Sequence, residues 1–227
     1  MKFYQSNEAV SDNFDVLDVY MRPDNTFIQG LYYDPATKLY WEGSGLWGES
    51  KVRYLKLDSQ SKQLNYDNSV PQWNMDRSIF GEGICPLNDH DIAVLTWQSD
   101  IIYFLSQDTL KLKHQTSFFD GMREGWGITN FVQDGDHKNF GLYVSDGSSN
   151  IQVVDGDTYE TIRTIAVRDE QGREVKNLNE LEYAKGLIWA NIWYSNDIIG
   201  INPTTGKVEK RYNMSSLRKA ESEYQKT

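Results

Sequence analysis

A pattern of short apolar strands separated by small-polar turns recurs four times along this chain, with a period of roughly 45 to 53 residues. That recurrence constrains the fold more than any single motif. The copies begin at Leu39 (LYWEGSGLWGESKVRYLKLDSQSKQL), Ile92 (IAVLTWQSDIIYFLSQDTLKLKHQ), Leu142 (LYVSDGSSNIQVVDGDTYETIRT) and Ile188 (IWANIWYSNDIIGINPTTGKVEKR). Each reads as strand, tight turn, strand, Asp/Asn-x-x-Thr type turn, strand, which is an antiparallel meander. A shorter apolar strand precedes each copy, entered through Gln29-Gly30, Glu82-Gly83, Trp126-Gly127 and Asn179-Glu180. Four-stranded units of this length arranged round an axis make a β-propeller, in which the first strand of each blade lines the central channel. The four entrance motifs should therefore converge at one mouth, although they lie about fifty residues apart in sequence.

The composition agrees with an all-β chain forming a single domain over residues 1–227. Aromatic and β-branched runs alternate with Gly, Asn, Asp and Pro, the chain holds 14 Tyr, 9 Phe and 7 Trp, and helical periodicity is scarce. Residues 14–21 (FDVLDVYM) form one further candidate strand belonging to no complete repeat, placed here as the strand that closes the last blade. Residues 214–227 read as a polar tail, either a short helix or a frayed end.

Several function classes fall away on charge and residue type. The net charge of -10 is spread along the chain, which leaves no basic footprint for nucleic acid. No apolar run is long enough to span a bilayer, and the N-terminus lacks the apolar core of a signal peptide. The expectation is a cytoplasmic protein as given, or a secreted or periplasmic one if this is a processed form. Cys85, the only cysteine, reads as a small buried apolar residue. His90, His114 and His137 are scattered in turns without ligand spacing, and the Asp-rich turns at 134–136 and 155–157 complete no calcium-loop pattern, so neither a metal nor another cofactor is expected.

Seven motifs in order carry a resemblance: FIQGLYYD at 27–34, GLWGES at 45–50, FGEG at 80–83, LTW at 95–97, REGWGIT at 123–129, SDGSSNI at 145–151, and LNELEY with IWANIW from Leu178 to Trp193. Together they resemble the plant-type glutamine cyclotransferases, or glutaminyl cyclases, which are five-bladed β-propellers. The resemblance implies Glu82 as acid/base, Asn179 and Gln29 as polar partners of the substrate, and Phe27, Phe80, Trp97, Trp126 and Trp193 as the walls of its pocket. It implies no metal. The family pattern also carries a further strand and a Thr-Gly-Lys motif whose lysine belongs to the active site, and no segment here matches it. Lys207, within Thr205-Gly206-Lys207, matches a different family position. The expected fold is thus a five-bladed propeller whose fifth blade is incomplete, keeping only the strand at residues 14–21.

The activity implied is conversion of a peptide's N-terminal glutamine to pyroglutamate with release of ammonia. The reaction is intramolecular, so the protein's tasks are to hold a cyclisation-ready conformer and to move protons. A glutamate beside aromatic rings suits this, since desolvation favours its uncharged form. The rival readings are an impaired propeller that binds peptides at the channel mouth without turnover, and a half-product completed by a partner chain or by another copy of itself. Glu180 and Glu182 are read as structural or supporting residues, and Trp41, Trp47, Trp73 and Trp189 as core or rim.

Overall fold

The computed structural model describes residues 14–224 apart from positions 23, 71, 88–89 and 133–139. They form four antiparallel sheets, each a meander of four consecutive strands. The first blade holds β1 (Ile28–Asp34), β2 (Leu39–Ser44), β3 (Lys51–Asp58) and β4 (Gln63–Tyr66), with the short β5 (Trp73–Asn74) also paired to β3. The second holds β6 (Gly81–Pro86), β7 (Asp91–Thr96), β8 (Ile102–Ser106) and β9 (Leu112–Thr116). The third holds β10 (Ile128–Val132), β11 (Phe140–Ser145), β12 (Asn150–Asp155) and β13 (Thr161–Ala166). The fourth holds β14 (Leu178–Ala184), β15 (Leu187–Ile192), β16 (Asp197–Ile201) and β17 (Val208–Asn213), followed by the helix α1 (Ser215–Tyr224). All four repeats read from sequence are blades, and within the polar tail Ser215–Tyr224 is helical.

The same five-residue turn closes several of these hairpins. Asp34, Asp155 and Asn202 each accept backbone N–H bonds on their side chains from residues two or three positions ahead. The backbone amides of Lys38, Leu110, Tyr159 and Gly206 each bond back four residues, and all four sit at positive φ. Only Gly206 adopts that backbone without a Cβ penalty, so the turn is held by its hydrogen bonds at the other three positions.

The core lies between blades. One apolar cluster joins the first and second blades through Trp41, Val52, Ile84 and Leu105. A second joins the second and third through Leu95, Phe104, Ile128 and Val144. A third joins the third and fourth through Tyr143, Ile151, Leu181 and Ile199. The inner strands accordingly pack in the series β1, β6, β10, β14, and no comparable packing joins β14 to β1 among the described residues. The arc is open. Leu31 and Tyr33 of the first blade, pointing away from the second, stay 40% and 46% exposed.

Two sequence expectations are corrected here. Four blades are present among the described residues, not five, and residues 14–20 do not form a strand. Val16, Leu17 and Val19 lie exposed; Asp18 and Tyr20 reach Lys62 in the turn between β3 and β4, and Met21 makes a parallel bridge to Gln63 on the outer edge of the first blade. A strand needs an edge to pair with, and the imperfect alternation of this segment gives it no apolar face to bury. Arg22 and Asp24 then meet the first blade from its open face, where Arg53 bonds Asp24 and Glu42, and Arg22 bonds Glu42. His114 is likewise not in a turn but in β9, stacked on Phe104; His137 and residues 134–136 lie outside the described residues.

Candidate active site

Glycines let the inner strands approach one another at the axis. A methyl group at Gly30 would stand 2.6 Å from the Ile84 nitrogen, and one at Gly127 would stand 2.2 Å from the Asn179 carbonyl oxygen. At Gly83 it would meet the Glu180 carboxyl at 2.6 Å and the Trp126 carbonyl at 2.8 Å. Each of these glycines belongs to an entrance motif, and the fourth motif has Glu180 in that place. The motifs thus converge on one mouth, as their spacing predicts.

Three of the four inner strands carry a bulge there. Pairing slips between Ile28 and Gly30 in β1, between Gly81 and Ile84 in β6, and between Leu178 and Leu181 in β14. The residues inside the slips are Gln29, Glu82 with Gly83, and Asn179 with Glu180. A bulge frees residues from the ladder and re-aims their side chains. In β10 the register is regular.

Glu82 is 5% exposed, and Gln29 Nε2 donates a 2.7 Å hydrogen bond to its Oε2 from the neighbouring blade. Burial pushes the Glu82 carboxyl up to about 8; the Gln29 bond opposes that rise and the nearby Glu124 adds to it. Behind it, Glu180 is half-buried as a residue, but its Oε2 is sealed from solvent and has no hydrogen-bond partner among the described residues. Burial raises Glu180 well above the usual carboxylate range, with Glu182 and Glu82 adding like-charge repulsion. Glu182 is more open and is raised mainly by desolvation, against a weak bond from Thr129 Oγ1. Asn179 is anchored by its backbone, whose carbonyl accepts 2.7 Å from Ser145 Oγ, while its side chain has no hydrogen-bond partner among the described residues.

The five aromatic residues expected as pocket walls fall into two groups. Phe80 meets Phe27 edge-on at 6.4 Å and Trp97 at 5.6 Å, while Trp126 meets Trp193 at 5.2 Å with the rings perpendicular. Trp47 joins the first group, 5.0 Å from Phe80 and 5.5 Å from Trp97, and Tyr194 joins the second, 4.0 Å from Trp193. Small residues make room for the rings: a methyl group at Gly45 would meet the Phe80 ring at 2.4 Å, and one at Gly147 the Trp126 indole at 2.5 Å.

All eight sequence-predicted site residues lie at or beside the inner-strand entrances. Sequence reasoning missed Glu124, which bonds both Trp97 and Trp126, and left Trp47 as core or rim without a role. The neighbouring motif residues in REGWG and GLWGES were the available signal. Among the described residues, no group of three or more His, Cys, Asp or Glu is placed to hold a metal ion.

The seven motifs thus bring a buried glutamate between glycines, an amide on its carboxylate and two groups of aromatic rings to one end of the inner strands. The family model described as glutamine cyclotransferase matches residues 2–227. The chain belongs to the glutamine cyclotransferase family.

Within that family, it is 32% identical over 197 residues to the glutaminyl-peptide cyclotransferase of Arabidopsis thaliana, across 87% of this chain. The chain spans about half of that relative's length, 56%. Among solved structures, the glutaminyl cyclase of Myxococcus xanthus superposes with a TM-score of 0.71 at 29% identity, over 88% of this chain and 76% of that one. Hydrazine synthase of Kuenenia stuttgartiensis shares the fold only, at TM-score 0.51 and 13% identity, over 88% of this chain and 52% of that one.

Proposed function

We propose that this protein carries the catalytic face of a glutaminyl-peptide cyclotransferase, converting N-terminal glutamine of peptides to pyroglutamate. The observation that carries this reading is Glu82: a carboxyl at the channel mouth, raised to about 8 by burial, exchanges a proton near neutral pH. The α-amine nitrogen of the substrate attacks the carbon of its own side-chain amide; a new C–N bond forms there, and the bond from that carbon to the amide nitrogen breaks. The proton leaving the amine passes to Glu82 and from there to the departing nitrogen, which leaves as ammonia. Gln29 orients the Glu82 carboxyl, and Asn179, whose amide is uncommitted, meets the amide oxygen as charge builds on it. Phe27, Phe80, Trp97, Trp126 and Trp193 exclude water and hold the folded-back conformer.

The test is incubation with a Gln-initiated dipeptide, following ammonia release. Turnover lost in Glu82→Gln supports the reading, and turnover equal in wild type and Glu82→Gln sinks it.

We further propose that a fifth unit completes the ring between β14 and β1. In its favour are the three blade interfaces for four blades, the exposed Leu31 and Tyr33, and the quarter of the Myxococcus relative that this chain does not cover. That unit, from further sequence, a second copy or a partner protein, supplies the cationic group that the family pattern carries. Light scattering at micromolar concentration tests the second copy: a strict monomer rules it out as the filler.

A further inference from the structure

Glu124 holds two site walls with one carboxylate. Trp97 Nε1 and Trp126 Nε1 both donate to its Oε2, at 2.7 and 2.8 Å, and Gln98 Nε2 donates to Oε1 at 2.7 Å. Trp97 follows β7 of the second blade and Trp126 precedes β10 of the third, so the carboxylate spans a blade boundary. Its own backbone is pinned next door: the Gly125 amide donates to the carbonyls of Thr96 and Trp97, and a methyl group at Gly125 would stand 2.5 Å from the Thr96 oxygen. An indole has a single donor, and both of these are spent on the same oxygen. Packing alone leaves a ring free to slide along its wall, whereas a bonded donor fixes its plane.

We propose that Glu124 is the positioning residue of the mouth, fixing the indole planes of Trp97 and Trp126 across the boundary between the second and third blades. A carboxylate suits this better than an amide, because all three donors need acceptors and an amide offers only one oxygen.

Two variants test this. In Glu124→Ala both bonds to the indoles are lost, and of the seven Trp ring N–H resonances in a 15N spectrum, those of Trp97 and Trp126, assigned with Trp97→Phe and Trp126→Phe, should move most. Their ring neighbours Trp47 and Trp193 should move less, and Trp41, Trp73 and Trp189 should stay. In Glu124→Gln the oxygen can still accept from the indoles once Gln98 turns its amide, so the Trp97 and Trp126 resonances should return towards their wild-type positions. Unmoved Trp97 and Trp126 resonances in Glu124→Ala overturn the positioning role, and so does movement of all seven in both variants. The NMR readout does not need turnover, so an inactive wild type would count against the proposed reaction and not against Glu124.

Discussion

Gln29 and Glu82 stand 53 residues apart in sequence and 2.7 Å apart in the fold, joined by a hydrogen bond from Gln29 Nε2 to Glu82 Oε2 that crosses from the first blade to the second. Each sits in a bulge of its own inner strand. The bond favours the ionised carboxylate against a burial that favours the acid.

Replacing Gln29 by Leu should therefore raise the Glu82 pKa further above about 8. One hydrogen bond to a charged group is worth about 1.5 kcal/mol, roughly one pH unit. If ionised Glu82 starts the reaction, the rising limb of kcat/KM against pH moves up by about that much, and the rate at pH 7 falls about tenfold. A pH profile measured on the variant checks this, and an unmoved limb would show that the bond is not felt by Glu82.

Glu82 also makes the fold sensitive to pH. The folded carboxyl keeps its proton to about 8, whereas the unfolded one releases it near 4.5. Stability from this group is complete below 4.5 and is lost as pH rises through 8, because the folded state binds the extra proton. Glu82→Gln should remove that dependence. Urea unfolding at about pH 5 and about pH 8.5 should show the variant gaining on wild type by on the order of 3 kcal/mol between the two.

Gly127→Ala places a methyl group 2.2 Å from the Asn179 carbonyl and 2.6 Å from the Glu180 Cα, both backbone atoms that cannot swing aside. β14 must shift, at a cost of about 1 to 3 kcal/mol. Because the shift moves Asn179, kcat/KM should drop even under conditions where denaturation shows the variant fully folded. Retention of full activity would mean that Asn179 does not need its present place.

On the open face of the first blade, the Glu42 side chain is fully buried and held by Arg53 at 2.7 Å and by Arg22 at 2.8 Å. Arg53→Met leaves that carboxylate short of its main partner, and the expected loss is about 3 to 5 kcal/mol. Adding Glu42→Leu should restore much of it. Denaturant midpoints of the single and double variants measure both steps, and additive losses would argue that the pair is not coupled.

Much of this candidate site was legible in the sequence. The repeat showed which residues share a mouth, and the motif order, through the resemblance it carries, named Glu82, Gln29, Asn179 and the five aromatic residues as the ones to look for there. Glu124 stands inside the REGWGIT motif, but its role was not legible, because a motif does not show that a carboxylate collects two indoles from different blades. Trp47 read as core or rim alike, and only the fold sets it against Phe80 and Trp97.

The sequence by itself determined the four blades, since strand alternation, turn chemistry and a period near fifty residues are properties of consecutive residues. It also determined the glycines at the axis, which have no other reason to recur beside Gln29, Glu82 and Trp126. Only the tertiary structure decided that residues 14–20 stay out of a sheet and that four blades share three interfaces in an open arc. It alone placed the bulges that turn Gln29, Glu82 and Asn179 out of their ladders. The physical reason is range: a strand forms from its own pattern, but a bulge, a closed ring and a buried carboxyl's proton depend on what the neighbouring blade brings against them.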